Sequence, residues 1–241
     1  MQNWYLQNGK DSDVVISSRV RLARNLEEIP FPTKYSKEQA KRVLEKVKEI
    51  APSIGYGIKY MELNDFDDIT KVSLVEKHVI SPEFAMNKMK TGAILLNDEE
   101  NICMMINEED HIHMQVFASG LELENLKNLA IELDEKLDKL LTYATHEKYG
   151  YLTSCPTNVG TAMRASVMVH LPALTMTGNI SKIFNIVNRF WNEYRGIYGE
   201  GTQSQGEFYQ ISNKQSLGIT ENDIIKNLNI IIEKVIEQER M

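Results

Sequence analysis

Three acids and a histidine stand in a row at Asn107-Glu108-Glu109-Asp110-His111, with a second histidine two residues on at His113. An apolar run, Ile102-Cys103-Met104-Met105-Ile106, precedes them and an alternating one, Ile112-His113-Met114-Gln115-Val116, follows, so both flanks read as strands. A charge run is usually a solvated loop. Carboxylates at the end of a buried strand, however, sit where burial and like charge raise a pKa, which is what a general base needs. His111 and His113 would share a face of an extended chain and could take a metal, but no third ligand stands at a recognisable spacing, so no metal site is assigned. By themselves these residues mark a site without naming a reaction.

Two other stretches carry chemistry. Only eight of the 27 basic residues are arginine, and three of those, Arg19, Arg21 and Arg24, fall within Ser17-Ser18-Arg19-Val20-Arg21-Leu22-Ala23-Arg24. The planar guanidinium fork suits bidentate contacts to phosphate or carboxylate, which lysine's point charge does not. On an extended chain Arg19 and Arg21 share one face, and two adjacent cations repel unless something anionic lies between them. The bland reading pairs these arginines with acids on the surface. The second stretch, Gly150–Leu171, sets Cys155 in a loop beside hydroxyls, then Pro156, a glycine turn and Arg164 at the head of a strand-like run. A cysteine nucleophile is conceivable there, but no protease-like signature surrounds it.

The elements that must position these residues follow from periodicity. Residues 13–25 read as a strand. Ser36-x-x-Gln39 is a capping box, and Ala40, Val43, Leu44, Val47 and Ile50 predict a helix over 37–50 ending before Pro52. Strands are expected at 58–63, 93–97, 101–106 and 112–118, the last three pairing antiparallel through short connections. A leucine stripe predicts a helix over 121–144. A strand follows at 165–171, a helix at 180–191 on Ile180, Ile183, Phe184, Val187 and Trp191, and strands at 193–198 and 207–211 around Gly199-Glu200-Gly201. Thr220-x-x-Asp223 caps a final helix. Short strand-to-strand connections favour an antiparallel sheet, so the fold class is α+β, a largely antiparallel sheet flanked by helices.

Composition limits the alternatives. The chain has 241 residues, 42% hydrophobic and 25% charged, with net charge −7. That balance is ordinary for a globular protein and gives no general affinity for nucleic acid or anionic membrane. No apolar run approaches the roughly 20 residues that span a bilayer. The start, Met1-Gln2-Asn3-Trp4, lacks the pattern of a signal peptide, and two cysteines make no disulfide framework, so the expected compartment is the cytoplasm. No GxxxxGK[ST] loop, no GxGxxG after a strand, and neither His-Arg-Asp nor Asp-Phe-Gly is present.

The motifs in their order, Ser17-Ser18-Arg19-Val20-Arg21-Leu22-Ala23-Arg24, then Asn107-Glu108-Glu109-Asp110-His111, then Cys155-Pro156-Thr157-Asn158-Val159-Gly160-Thr161 with Arg164-Ala165-Ser166, resemble the phosphagen (guanidino) kinases over nearly the whole chain. Within them the chain is most similar to the bacterial protein-arginine kinases of the McsB type, on Arg164-Ala165-Ser166-Val167-Met168 and Arg195-Gly196-Ile197-Tyr198-Gly199-Glu200-Gly201-Thr202. The resemblance implies a catalytic domain over 1–241, related in fold to glutamine synthetase. The motifs begin at residue 17, so the N-terminal helical lid of the small-molecule kinases is expected to be absent. The further C-terminal phosphoarginine-binding domain is expected to be absent too.

It also implies the roles. ATP would lie on Ser17, Ser18, Arg19, Val20 and Arg21, against His78, and on the stretches Arg164, Ala165, Ser166, Val167, Met168 and Arg195, Gly196, Ile197, Tyr198, Gly199, Glu200. Glu109 would be the catalytic carboxylate, Glu200 a second carboxylate on the acceptor guanidinium, and Cys155 a contact against it. His113 stands where the family pattern has arginine, which removes one permanent charge from the phosphate clamp. ATP and Mg²⁺ are the implied cofactors. The implied partners are proteins with exposed arginine, an activator protein and a Clp-type protease in stress response and quality control, with room for a dimer. Two other expectations stay open: a kinase for free arginine or another small guanidino compound, and a catalytically weakened phosphoarginine- or nucleotide-binding module.

Overall fold

The computed structural model describes residues 3–87, 89–189, 192–195 and 206–241, with backbone alone at 189, 192, 194 and 195. Its strands are β1 Val15–Arg24, β2 Lys59–Glu62, β3 Ala93–Leu96, β4 Ile102–Ile106, β5 Ile112–Ser119, β6 Thr145–His146, β7 Gly150–Tyr151, β8 Met163–His170, β9 Asn192–Arg195 and β10 Phe208–Asn213. Its helices are α1 Lys37–Ile54, α2 Asp68–Glu76, α3 Pro82–Ala85, α4 Leu123–Asp138, α5 Pro172–Met176, α6 Ile180–Arg189 and α7 Glu221–Glu239. Eight strands form one sheet in the order β2-β3-β4-β5-β1-β8-β10-β9, every neighbouring pair antiparallel. The expected α+β class holds, and β6 and β7 add a small hairpin beside the sheet.

The two faces of the sheet differ. On one face α1, α4 and α7 pack over Val20, Leu22, Val116, Ala165, Val167 and Ile211, and this is the main core. On the other, a smaller cluster from the 63–84 segment (Leu63, Leu74, Val79, Ile80, Phe84) covers only β3, β4 and part of β5 through Ile94, Leu96, Cys103, Met105 and Phe117. The remaining strands on that side, β1, β8 and β10, therefore carry mostly polar side chains, Ser17, Arg19, Arg21, Arg164, Ser166, Gln210 and Ser212, with Met168 among them. Alternation of side chains across a strand is what separates Arg19 and Arg21 from Val20 and Leu22.

Local signals hold where they are strongest. Ser36 and Gln39 make the reciprocal capping box, Gln39 N donating to Ser36 Oγ at 3.3 Å and Ser36 N to Gln39 Oε1 at 2.7 Å. Helix α1, however, runs through Pro52 to Ile54. A proline in the last turn removes a single bond, and burial of Ala51 and Ile54 outweighs that loss. Helix α4 stops at Asp138, short of 144. Leu141 and Ala144 are buried by leaving the helix, because Ala144 N donates to Asn25 O at 2.7 Å and Glu27 N to Thr142 O at 3.1 Å. The chain there prefers pairing beside the end of β1 to another helical turn. Of the helix expected over 180–191, Trp191 lies outside the described residues, as do 196–198 of the strand expected over 193–198.

Candidate active site

The register of the central strands assembles the site. Arg21 lies opposite Arg164 and Gln115, Arg19 opposite Ser166 and Phe117, and Ser17 opposite Met168, so partners 94 to 151 positions apart in sequence form one patch. The patch floors a cleft of about 350 Å³ whose lining includes Ser17, Arg19, Arg21, His78, His113, Arg164, Ser166 and Met168, all expected from sequence. Arg19 Nε donates to Ser166 Oγ at 3.4 Å. Burial, and after it the charge of Arg164, press the Arg19 guanidinium down to about 10. Cations that destabilise one another in this way favour an anionic ligand between them.

The same alternation places other expected residues elsewhere. Val20, Ala165 and Val167 point into the main core. Ser18 is buried on that side too, its hydroxyl donating to Gly120 O at 2.7 Å and accepting from Glu122 N at 3.1 Å, where it anchors the start of α4. Arg24 has left the cleft. It is 2% exposed and forks onto Asp134 of α4, Nη2 to Oδ2 at 2.6 Å, with Tyr151 stacked 3.5 Å from its centre. The arginine does pair with an acid, as the bland reading has it, but in the interior. Arg195 pairs in register with Gln210 on β9; its side chain, and residues Gly196, Ile197, Tyr198, Gly199 and Glu200, lie outside the described residues.

His78 reaches the cleft through the end of α2. It takes a left-handed φ of 58° just beyond the helix C-cap, with His78 N donating to Val75 O at 2.9 Å. Burial first, and Arg19 second, lower its pKa, which favours the neutral ring.

The acid loop is closed by Asn107 N donating to His111 O at 2.9 Å, with Asn107 in the left-handed region. Its members have separate environments. Glu109 is exposed and lines neither this cleft nor the one beside the cysteine loop, although its neighbour Glu108 lines the first; partial burial, then the charges of Asp110 and Glu108, raise its pKa. Glu108 is held instead: its carboxylate accepts from Ser81 Oγ at 2.8 Å, Glu109 N at 2.8 Å and His113 Nδ1 at 3.0 Å. Burial opposes its charge, but His113 and these donors prevail and bring it to about 2. Asp110 is fully buried, and its Oδ1 accepts from Asn25 Nδ2 at 2.6 Å and Ser154 N at 2.6 Å. That contact ties the acid loop to the cysteine loop, so Glu109 and Cys155 each stand one residue from a shared hydrogen bond. His111 accepts from Leu26 N at 3.0 Å through Nδ1 and donates from Nε2 to Pro30 O at 3.1 Å. Both nitrogens are engaged, so the metal pairing of His111 with His113 is closed.

Cys155 is half-buried, its Sγ 3.0 Å from Thr157 Oγ1. The loop after it lines a second cleft of about 440 Å³ with Pro156, Asn158, Lys214 and Gln215, and Arg164 lines both clefts. Gly160 holds that loop down: at φ 118° any Cβ would run into the Ser216 carbonyl.

Sequence reasoning missed several residues here. Glu193 forms an ion pair with Arg164 and accepts from Ser212 Oγ at 3.3 Å. Trp4 lines the cleft and stacks on Phe117 at 5.4 Å, although residues 1–12 carry no periodic signal. Only the period-two placement of Gln115 and Phe117 beside the arginine row could have been anticipated.

An antiparallel sheet that displays arginines on one open half offers the cationic cleft that phosphoryl transfer asks of a protein. A family model described as ATP:guanido phosphotransferase, C-terminal catalytic domain, matches residues 38–241, and the chain belongs to that family. Among curated relatives, a protein named protein-arginine kinase from Halothermothrix orenii is 46% identical over 241 residues, covering 100% of this chain and 69% of that protein. One of the same name from Bacillus subtilis is 43% identical over 245 residues, covering 100% of this chain and 67% of that protein. Among solved structures, the duplicated taurocyamine kinase from Schistosoma mansoni with bound transition state analog components superposes with TM-score 0.84 at 27% identity. This chain is covered to 99% and spans 34% of that longer one. Lombricine kinase superposes with TM-score 0.83 at 23% identity, over 98% of this chain and 69% of its own, and shares the fold.

Proposed function

We propose that the chain transfers the γ-phosphoryl group of ATP to the guanidinium of arginine side chains in proteins, with residues 1–241 serving as the catalytic domain. The observation that carries this reading is the arginine-floored cleft lying beside the joined Glu109 and Cys155 loops. The similarity of the whole of this chain to part of a protein-arginine kinase supports the choice of acceptor. Phosphoryl transfer asks the protein mainly for positioning and charge stabilisation. Arg19, Arg21 and Arg164, with Arg195 from β9, would hold the triphosphate, and His78 would contact the nucleotide. Mg²⁺ would enter on the phosphates with water filling its shell, shielding charge as the γ-phosphoryl departs; the cationic lining fits a metal that arrives with the nucleotide.

The acceptor is a poor nucleophile, since an arginine guanidinium has a pKa above about 12 and no free lone pair. In the proposed step Glu109, with Glu200 as a second carboxylate, orients the planar fork, and Glu109 takes an N–H proton. The nitrogen attacks the γ-phosphorus and the bond to the ADP oxygen breaks. A raised pKa suits Glu109 to that proton transfer. Cys155 would lie against the guanidinium without bonding to it. Arg164 lines both clefts, so a γ-phosphoryl held there is within reach of an acceptor entering beside the cysteine loop.

By family resemblance, the proposal extends to a cytoplasmic setting in protein quality control, with an activator protein and a Clp-type protease as partners. The deciding assay incubates the chain with Mg·ATP and casein or free arginine. An acid-labile label on casein arginine establishes the reading. Label on free arginine alone assigns a small-molecule kinase, and ATP binding with no label on either assigns a binding module.

A further inference from the structure

We propose that Glu193 is an acceptor-binding carboxylate, held by Arg164 until a bound nucleotide draws that arginine away and leaves Glu193 to the incoming guanidinium. The inference rests on the kinase reading of the two clefts and adds to it a residue that the motifs do not contain.

Strand pairing sets the residue in place. Arg19, Ser166, Ser212 and Glu193 are register partners across β1, β8, β10 and β9, so they form one row that ends on the β9 edge of the sheet. Arg164 reaches across from β8 and forms an ion pair with Glu193. Between them stands Ser212, whose Oγ accepts from Arg164 Nη2 at 3.4 Å and donates to Glu193 Oε1 at 3.3 Å. Ser212 lines the first cleft, Glu193 the second and Arg164 both, so these three side chains form the partition between the clefts.

The second cleft is otherwise short of negative charge. Among the described residues Glu193 is the only acid that lines it, against Arg164 and Lys214 as cations. Its walls are fastened independently of the ion pair. Ser216 Oγ lies 2.8 Å from Thr157 O and 2.9 Å from Val159 O, and Asn213 Nδ2 donates to Met163 O at 3.1 Å. The pair can therefore change partners while the cleft keeps its shape. Both side chains are partly exposed, 24% for Arg164 and 16% for Glu193, so the exchange leaves no lone charge sealed in the interior.

Chemistry gives the exchange its direction. Carboxylate and phosphate oxygens compete for the same guanidinium fork, and a triphosphate on Arg19 and Arg21 carries more charge than Glu193 does. With Arg164 on the phosphates, Glu193 is left beside a like charge until a cation takes the vacated position. An acceptor arginine presents the same group as the one displaced, so a carboxylate placed to hold Arg164 is placed to hold the acceptor. Arg164 is thus an internal stand-in for the acceptor while the nucleotide site is empty.

The test compares wild type, Glu193→Gln and Glu193→Asp in two measurements. Calorimetry reads the affinity for a nonhydrolysable ATP analogue with Mg²⁺, and label incorporation reads transfer to an unstructured peptide with one arginine. E193Q is expected to bind the nucleotide up to about tenfold tighter, while its KM for the peptide rises about ten- to hundredfold and kcat changes less. E193D keeps the charge and is expected to recover part of the KM. Weaker nucleotide binding by E193Q would make Glu193 a brace for Arg164 and overturn the proposal, and so would an unchanged peptide KM. Should the variants fail to fold, wild type alone decides. Its peptide affinity is expected to rise at least about fivefold when the analogue is bound, and equal affinity would overturn the proposal. Transfer by wild type with E193Q unaltered sinks this inference and leaves the kinase reading standing, whereas no transfer by wild type sinks both.

Discussion

Neighbouring carboxylates in the acid loop are divided by what they touch. Glu108 is immobilised by three donors, Asp110 is buried in a structural bond, and Glu109 alone of the three is exposed, with a raised pKa. Glu109→Gln is expected to lower arginine transfer by about 10²–10⁴-fold while nucleotide binding persists, measured by label incorporation and by calorimetry. Cys155→Ala removes a contact and no covalent step, so it is expected to retain substantial turnover in the same assay. A C155A variant as inactive as E109Q would show that the ranking is wrong. The acid run was visible in the sequence, but the division of labour within it was not, because it depends on Ser81, Asn25 and Ser154, none of which is a sequence neighbour of the loop.

At the scale of elements, two loops and two layers are held by single polar residues. Asp110 joins the acid loop to the cysteine loop through Asn25 and Ser154. Asp110→Ala strands two buried donors and is expected to cost about 2–4 kcal/mol of stability, with transfer falling further than ATP affinity. Equal loss in both would make Asp110 a purely structural residue. Arg24 clamps β1 to α4 through Asp134. Removing one partner of a buried pair leaves the other uncompensated, so Arg24→Ala is expected to destabilise by about 3–5 kcal/mol in chemical denaturation. Double replacement of Arg24 and Asp134 by apolar residues should recover much of it.

For the whole molecule, pH sensitivity follows from a buried neutral histidine. Burial lowers His111 to about 4 in the fold, against about 6.5 in the unfolded chain. Between those values the unfolded chain binds the additional proton, so stability rises with pH across that window and is fully present above it. Glu108, with its pKa brought to about 2, adds loss of stability at lower pH still. Denaturation midpoints are expected to fall from pH 6.5 to 4, with His111 accounting for up to about 3 kcal/mol. A flat profile over that range would contradict the neutral, doubly bonded imidazole.

The sequence by itself determined the elements and the inventory: period-two runs for the central strands, the capping box of α1, the motifs in their order, and so the family. These are local properties, written in spacing and in residue type. What only the tertiary structure decided is which face each residue occupies and which distant partner it meets. Arg19, Arg21 and Arg24 look alike in the sequence, yet strand alternation directs the first two into the cleft while Asp134, 110 residues away, takes the third into the interior. Helix α4 ends early for the same reason, since Ala144 finds the carbonyl of Asn25. Pairing across the sheet sets those distances, and no short window of sequence contains both partners.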